Sequence, residues 1–105
     1  MSEQAIINAR IVTPDEIFRG CVIYDEHSGK IKAVQKNLPS DFPKEQVTDA
    51  EDSWLVPGGI DAHVHLGGFG EIKIEDDFYT GSLGALAGGT TTVIDFCESE
   101  KGDSP

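Results

Sequence analysis

The sequence predicts an α/β protein in which a small β-sheet region comes first and a strand–helix–strand unit follows it. Two observations support this order. Residues 1–52 contain short β-branched and apolar segments separated by turn residues. Residues 53–105 contain an alternating segment, a glycine-rich loop, a segment with helix-boundary residues and a second β-branched segment. We therefore place a domain boundary between residues 52 and 53.

The first region is predicted to form a small antiparallel sheet that is half of a β-sandwich. Strands are expected at residues 5–12 and 20–24, where β-branched and apolar side chains dominate. Turn residues at 26–29 lead into a third strand at residues 30–35, so that the second and third strands form a hairpin. Residues 47–52 are polar and predict at most a weak edge strand.

The second region begins with a strand that has two histidines on one face. Apolar and polar residues alternate over residues 60–66, which places Asp61, His63 and His65 on the same side. Two such imidazoles can each offer a neutral nitrogen to one divalent ion. The spacing alone leaves both a metal site and a polar edge face open. The position of the pair at the C-terminal end of the first strand of a βαβ unit, before a glycine-rich loop, favours the metal site. Asp61 is a candidate for orienting a histidine or the loop, or else a solvated capping residue.

A glycine-rich loop, a helix and a second strand complete a βαβ unit. Asp76 and Asp77 precede the segment 78–87, and a glycine pair follows it, as is typical of helix boundaries. We interpret the two aspartates as helix-start residues rather than as an acid–base pair. Residues 90–96 are nearly all β-branched, which predicts a strand buried on both faces of a parallel sheet.

Composition excludes several classes of partner. Eight basic against nineteen acidic residues give a net charge of −11, which argues against binding to nucleic acid or to an anionic membrane. No apolar run approaches the ~20 residues of a spanning helix, and the first residues lack the features of a secretory signal. Two cysteines are too few for a disulfide scaffold. Cys21 is interpreted as a core residue and Cys97 as a buried inert thiol. We expect a cytoplasmic location.

Two long motifs give the sequence a family resemblance. The run PGGIDAHVHL at residues 57–66 resembles the first-strand signature of the amidohydrolase superfamily. The runs DDFYTGS at residues 76–82 and AGGTTTVIDF at residues 87–96 closely resemble the dihydropyrimidinase (hydantoinase) branch. Residues 6–14 are also similar to the opening of that family. The resemblance covers essentially the whole chain.

The resemblance implies the N-terminal part of a small β-sandwich followed by the first βαβ unit of a (β/α)8 TIM barrel. It implies two zinc ions at the barrel mouth, with His63 and His65 as ligands of the more buried ion. A carboxylated lysine, further histidines and an aspartate complete the family's site. The implied reaction, a step of pyrimidine catabolism, is hydrolytic opening of a small-molecule cyclic amide. The implied assembly is a homotetramer.

The chain is much shorter than the protein that the resemblance implies. A barrel of this type needs about 250 residues, and the 105 residues reach only its second strand. The lysine, the later histidines and the aspartate are not among them, so no catalytic residue is predicted within this chain. We expect an inactive N-terminal fragment, a truncated product or part of a longer enzyme. A genuine 105-residue protein is the alternative, and its exposed sheet edges predict instability.

The loop after the histidines bears on the substrate. Dihydroorotases have an arginine two residues after the second histidine to clamp a substrate carboxylate, and this chain has Gly67 there. A neutral ring, a dihydropyrimidine or a hydantoin, therefore fits better. Hydantoinases line their pocket with this loop, so Leu66 and Phe69 are candidate pocket residues, although Phe69 could instead pack inside the protein.

Two alternative functions stay open. One is another cyclic amidohydrolase, such as an allantoinase or a dihydroorotase. The other is a non-catalytic scaffold similar to the dihydropyrimidinase-related proteins. Those relatives have lost metal-binding histidines, whereas His63 and His65 are both present here, which favours the enzyme.

Overall fold

The computed structural model describes residues 2–96, which divide into two units between Pro57 and Gly58. This division lies after the sequence-based boundary at residues 52 and 53, because Trp54 and Leu55 pair with the first strand of the chain. Within the described residues, no helix has the length and apolar character needed to cross a membrane.

The first unit is a five-stranded sheet. Its strands are β1 (Glu3–Val12), β2 (Ile17–Asp25), β3 (Lys30–Gln35), β4 (Val47–Asp49) and β5 (Trp54–Leu55). The order is β3-β2-β1-β4, with β5 also paired to β1. The pairs β1–β2 and β2–β3 are antiparallel, which confirms the predicted hairpin. However, β4 and β5 pair with β1 in parallel. The prediction of a purely antiparallel sheet is therefore wrong.

The parallel pairing follows from the long connection after β3. Antiparallel neighbours can be joined by a tight turn, whereas parallel neighbours need a longer crossover. The segment after Gln35 contains Pro39, Pro43 and a 3₁₀ turn at Lys44–Gln46. This segment returns the chain to the start of β1, so that Val47 pairs with Ala5.

A β-bulge in β1 helps to join β1 to β4. The register between β1 and β2 shifts between Ile6 and Ala9, and Asn8 has a φ of 53°. Asparagine tolerates this left-handed conformation better than most residues do. The Asn8 Nδ2 atom donates a 2.8 Å hydrogen bond to Asp49 Oδ2 in β4.

The core residues of the first unit lie on the two neighbouring strands β1 and β2. Its buried apolar residues are Ala5, Ala9, Ile11, Cys21, Val22 and Ile23. Burial raises the pKa of the Cys21 thiol, since a thiolate is poorly solvated in an apolar environment. The interpretation of Cys21 as a core residue is therefore confirmed.

The second unit contains one βαβ motif. Its elements are β6 (Gly59–Val64), β7 (Gly68–Phe69), β8 (Ile72–Lys73), α1 (Phe78–Ala87) and β9 (Thr90–Asp95). Strands β6 and β9 pair in parallel and α1 contacts β9, as predicted. The glycine-rich segment, which was expected to be only a loop, forms the short antiparallel hairpin β7–β8.

Burial in the second unit is lower than the sequence predicted. No residue of β9 is fully buried, so the prediction of a strand buried on both faces is not confirmed within residues 2–96. The reason is that β6 is the one described strand paired with β9. The second layer of the sandwich and the remainder of the barrel stay predictions.

Helix α1 begins at the predicted position. Asp77 is its N-cap, with Oδ1 accepting a 2.8 Å hydrogen bond from the backbone N–H of Thr80. The Thr80 hydroxyl accepts a 3.0 Å bond from the backbone N–H of Asp77, which completes a capping box. The bond from the Thr80 amide is the main reason that the pKa of Asp77 is lowered. Asp77 therefore serves as a helix-start residue, as the sequence predicted.

Candidate metal centre

The structure brings His63 and His65 together at the carboxyl end of β6. His63 lies within the strand, and His65 follows directly after its last residue, Val64. The Nε2 atoms of the two imidazoles are 3.2 Å apart. The ring centroids are 5.1 Å apart, with the ring planes at 73°. The imidazoles therefore converge through the same nitrogen of each ring.

The Nε2 separation fits two ligands of one metal ion. Two nitrogens bound at about 2.0–2.1 Å to a tetrahedral zinc lie roughly 3.3 Å from each other, close to the observed 3.2 Å. The same distance suits a hydrogen bond in which one imidazole donates and the other accepts. Residues 2–96 contain no group of three His, Cys, Asp or Glu side chains placed to hold an ion. Further ligands would therefore come from elsewhere in the protein.

Two phenyl rings contact the histidine pair. The Phe96 ring is stacked on His65 at 4.8 Å and 16°, and it lies 4.7 Å from His63 at 57°. The Phe69 ring lies 4.5 Å from His65 at 39°. The sequence reasoning missed Phe96. The signal that could have found it is the parallel register, because Val64 pairs with Asp95 and the next residues along are His65 and Phe96.

Two carboxylates fix the backbone around the histidines. Asp61 Oδ1 accepts a 3.2 Å hydrogen bond from the backbone N–H of His63. Asp95 Oδ2 accepts a 3.3 Å bond from the N–H of Leu66, and Asp95 Oδ1 accepts a 2.7 Å bond from the N–H of Phe96. Asp61 thus contacts the main chain of a candidate ligand. Asp95 joins the ends of β6 and β9.

The candidate pocket residues lie on the segment that follows His65. Leu66 is half-buried, and its Cδ2 atom is so close to Gly81 that a Cβ there would meet it at 2.5 Å. The Leu66 side chain therefore lies against α1. Phe69 is 42% exposed and contacts His65. A role of either residue in lining a substrate pocket stays a prediction.

Other singled-out residues lie in the first unit, before α1 or outside the described part of the chain. His27 belongs to the first unit, in an exposed turn where its backbone N–H donates a 2.9 Å bond to Asp25 Oδ1. Asp76 is exposed and directly precedes the N-cap of α1. Cys97 lies outside the described residues.

Comparison with known proteins identifies hydantoinases and dihydropyrimidinases among the relatives. D-hydantoinase of Geobacillus stearothermophilus is 41% identical over 99 residues, which cover 93% of this chain and 20% of the relative. Dihydropyrimidinase 2 of Caenorhabditis briggsae is 42% identical over 101 residues, covering 94% and 19%. The chain is a homologue of the hydantoinases and dihydropyrimidinases. This homology confirms the resemblance found in the sequence motifs. No protein-family model matches the chain.

Solved hydantoinase and dihydropyrimidinase structures share the fold. The crystal structure of dihydropyrimidinase from Brevibacillus agri matches with a TM-score of 0.79 at 38% identity, covering 97% of this chain and 22% of that one. A D-hydantoinase crystal structure matches with a TM-score of 0.78 at 37% identity, covering 96% and 21%. The chain therefore spans about a fifth of the length of the hydantoinases and dihydropyrimidinases that it matches.

Proposed function

We propose that this chain contributes two metal ligands to a zinc-dependent cyclic amidohydrolase. The reaction is hydrolysis of an amide C–N bond that opens a dihydropyrimidine or hydantoin ring. One observation supports the proposal most directly, namely the 3.2 Å separation of the His63 and His65 Nε2 atoms. This histidine pair occurs in a homologue of D-hydantoinase and dihydropyrimidinase. The proposed homotetramer rests on the family resemblance and is testable by sedimentation of the full-length protein. The proposed cytoplasmic location rests on the two cysteines, which suit a reducing compartment.

His63 and His65 would hold one of the two zinc ions that the family resemblance implies. A divalent ion held there supplies Lewis-acid chemistry, since it polarises a carbonyl and lowers the pKa of a water molecule. The described residues of this chain hold and orient the imidazoles. Asp61 accepts the hydrogen bond from the His63 amide, and Phe96 contacts both imidazole rings. The groups that move protons are proposed to lie outside residues 2–96.

The loop after His65 favours a ring without a carboxylate. Position 67 is a glycine with a φ of 85°, and a glycine bears no side chain. No cationic side chain therefore extends from this position to bind a substrate carboxylate. We propose that Leu66 and Phe69 contribute apolar surface to the pocket, with Phe69 beside His65.

Turnover by the full-length protein tests the proposal. The zinc-loaded protein is assayed for opening of dihydrouracil, hydantoin and dihydroorotate. We expect activity on dihydrouracil or hydantoin, loss of that activity in His63→Ala and His65→Ala, and unchanged activity in His27→Ala. His27→Ala is the matched control, because this substitution removes an exposed imidazole from the first unit.

Two other results would contradict the proposed function. Exclusive turnover of dihydroorotate would assign the protein to another class of cyclic amidohydrolase. A folded protein that binds no zinc and opens none of the three rings would instead be a non-catalytic scaffold.

A further inference from the structure

We propose that Phe96 is a positioning residue that holds the imidazoles of His63 and His65 in the relative orientation that metal binding requires. This inference rests on the proposed function, because it gives the histidine pair a metal to bind. It concerns a residue that offers no ligand atom itself.

The ring contacts show why Phe96 acts on the pair rather than on one histidine. Its phenyl ring lies 4.7 Å from the His63 ring and 4.8 Å from the His65 ring, while the two imidazoles are 5.1 Å apart. These centroid distances and the stacked and tilted angles lie within the range of favourable aromatic pairs. Rotation of either imidazole therefore disturbs its contact with the same phenyl ring. Among the described residues, Phe69 has a ring contact with His65 but none with His63.

The histidines lack the usual means of orientation within the described residues. A metal-binding histidine generally donates its other ring N–H to a carboxylate or a carbonyl, which fixes the ring. In residues 2–96, His63 and His65 hydrogen-bond through their Nε2 atoms to each other, and neither Nδ1 atom has a hydrogen-bond partner. Besides this mutual contact, the Phe96 ring is the constraint common to both imidazoles within these residues.

The carboxylate of Asp95 links the backbone of Phe96 to the backbone next to His65. It accepts hydrogen bonds from the backbone N–H of Phe96 and from that of Leu66, the residue after His65. The backbone segments that bear the phenyl ring and the imidazole are thus tied to one side chain. A preorganised support of this kind places ligands accurately before the ion binds.

Two measurements on the full-length protein test the inference. Zinc affinity is measured by chelator competition for the wild type, Phe96→Leu and Phe96→Tyr. The leucine variant keeps apolar volume and loses the ring, whereas the tyrosine variant keeps the ring. Phe78→Leu is the matched control, because Phe78 is 63% exposed in the same unit. We expect about tenfold weaker zinc binding in Phe96→Leu, and wild-type binding in Phe96→Tyr and Phe78→Leu.

The second measurement uses metal-free protein labelled at histidine and phenylalanine for NMR. We expect nuclear Overhauser contacts from the Phe96 ring to both imidazoles in the wild type, and ring-current shifts of the imidazole protons that Phe96→Leu removes. This readout needs neither metal nor substrate. If the wild type binds no zinc, the proposed function fails while the imidazole shifts still report on Phe96.

Three results would overturn the inference. One is the absence of these contacts in the wild type, which can be judged even if a variant does not fold. Another is unchanged zinc affinity in folded Phe96→Leu. The third is equal weakening by Phe96→Leu and Phe96→Tyr, which would show that the ring itself is not the relevant feature.

Discussion

The Nε2 atoms of His63 and His65 lie 3.2 Å apart. Side chains two residues apart on a strand share a face, but their Cα atoms are separated by about 7 Å. The imidazoles must therefore lean towards each other to bring these nitrogens so close. Such convergence indicates either a hydrogen bond between the rings or a common metal ion. The proposed function requires the common metal ion.

The double hydrogen bond at Asp95 predicts a stability effect. Asp95→Ala leaves the N–H groups of Leu66 and Phe96 without their acceptor. We expect a loss of about 1–3 kcal/mol in the free energy of unfolding, measured by urea denaturation. We also expect faster hydrogen exchange at these two amides. Asp76→Ala, an exposed change in the same unit, should shift the free energy by less than about 0.5 kcal/mol. Equal effects of the two variants would argue against the Asp95 contact.

The close approach of Gly58 to Thr91 predicts intolerance of any side chain at residue 58. A Cβ there would lie 2.0 Å from Thr91 Oγ1 and 2.7 Å from Thr91 Cβ. We expect Gly58→Ala to destabilise the protein by about 1–3 kcal/mol, measured by thermal or urea unfolding.

A second glycine provides the matched control for Gly58→Ala. Within the described residues, a Cβ at Gly84 in α1 meets no atom within 4 Å. Gly84→Ala should therefore stabilise the protein by about 0.5–1 kcal/mol, since alanine favours the helix. If both alanine variants destabilise the protein alike, the contact with Thr91 does not explain the result.

The ion pairs of Asp52 predict a dependence of stability on pH. Asp52 hydrogen-bonds with Arg10, and its Oδ1 lies 3.4 Å from Arg19 Nη2. The bond with Arg10 is the main reason that the pKa of the Asp52 carboxyl is lowered. A pKa that is lower in the folded state gives stability above the unfolded pKa of about 3.9, and this stability is lost as the pH falls through the folded value.

Thermal unfolding of Asp52→Asn measures this effect. The wild type should melt at a higher temperature than Asp52→Asn at pH 7, and the difference should narrow below about pH 4. The exposed Asp15→Asn is the control and should show little difference from the wild type at either pH. A difference in melting temperature between the wild type and Asp52→Asn that does not change with pH would contradict the role of the carboxylate charge.

Elements with strong local signals could be predicted from the sequence. The β2–β3 hairpin has its turn residues between two apolar strands, and α1 has Asp77 before it and Gly88 after it. These signals act over a few residues and do not depend on the rest of the chain. The two histidines were found for the same reason, since alternation along a single strand places them on one face.

Features that depend on distant contacts could not be predicted in the same way. The polar strand Val47–Asp49 has three residues and gives no sign that it pairs with β1 in parallel. The contact of Phe96 with His65 depends on the register of β6 and β9, which are separated along the chain by a hairpin and a helix. Low burial in the second unit depends on how many strands are present, which the β-branched pattern of β9 does not reveal.

The zinc content of the full-length protein tests the role of His63 and His65 most directly. It is measured by elemental analysis of the purified wild type, of the double variant His63→Ala/His65→Ala and of His27→Ala. We predict that the wild type and His27→Ala retain the same zinc per chain and that the folded double variant loses at least one ion. Equal zinc content in all three proteins, or none in the wild type, would contradict a metal site at this histidine pair.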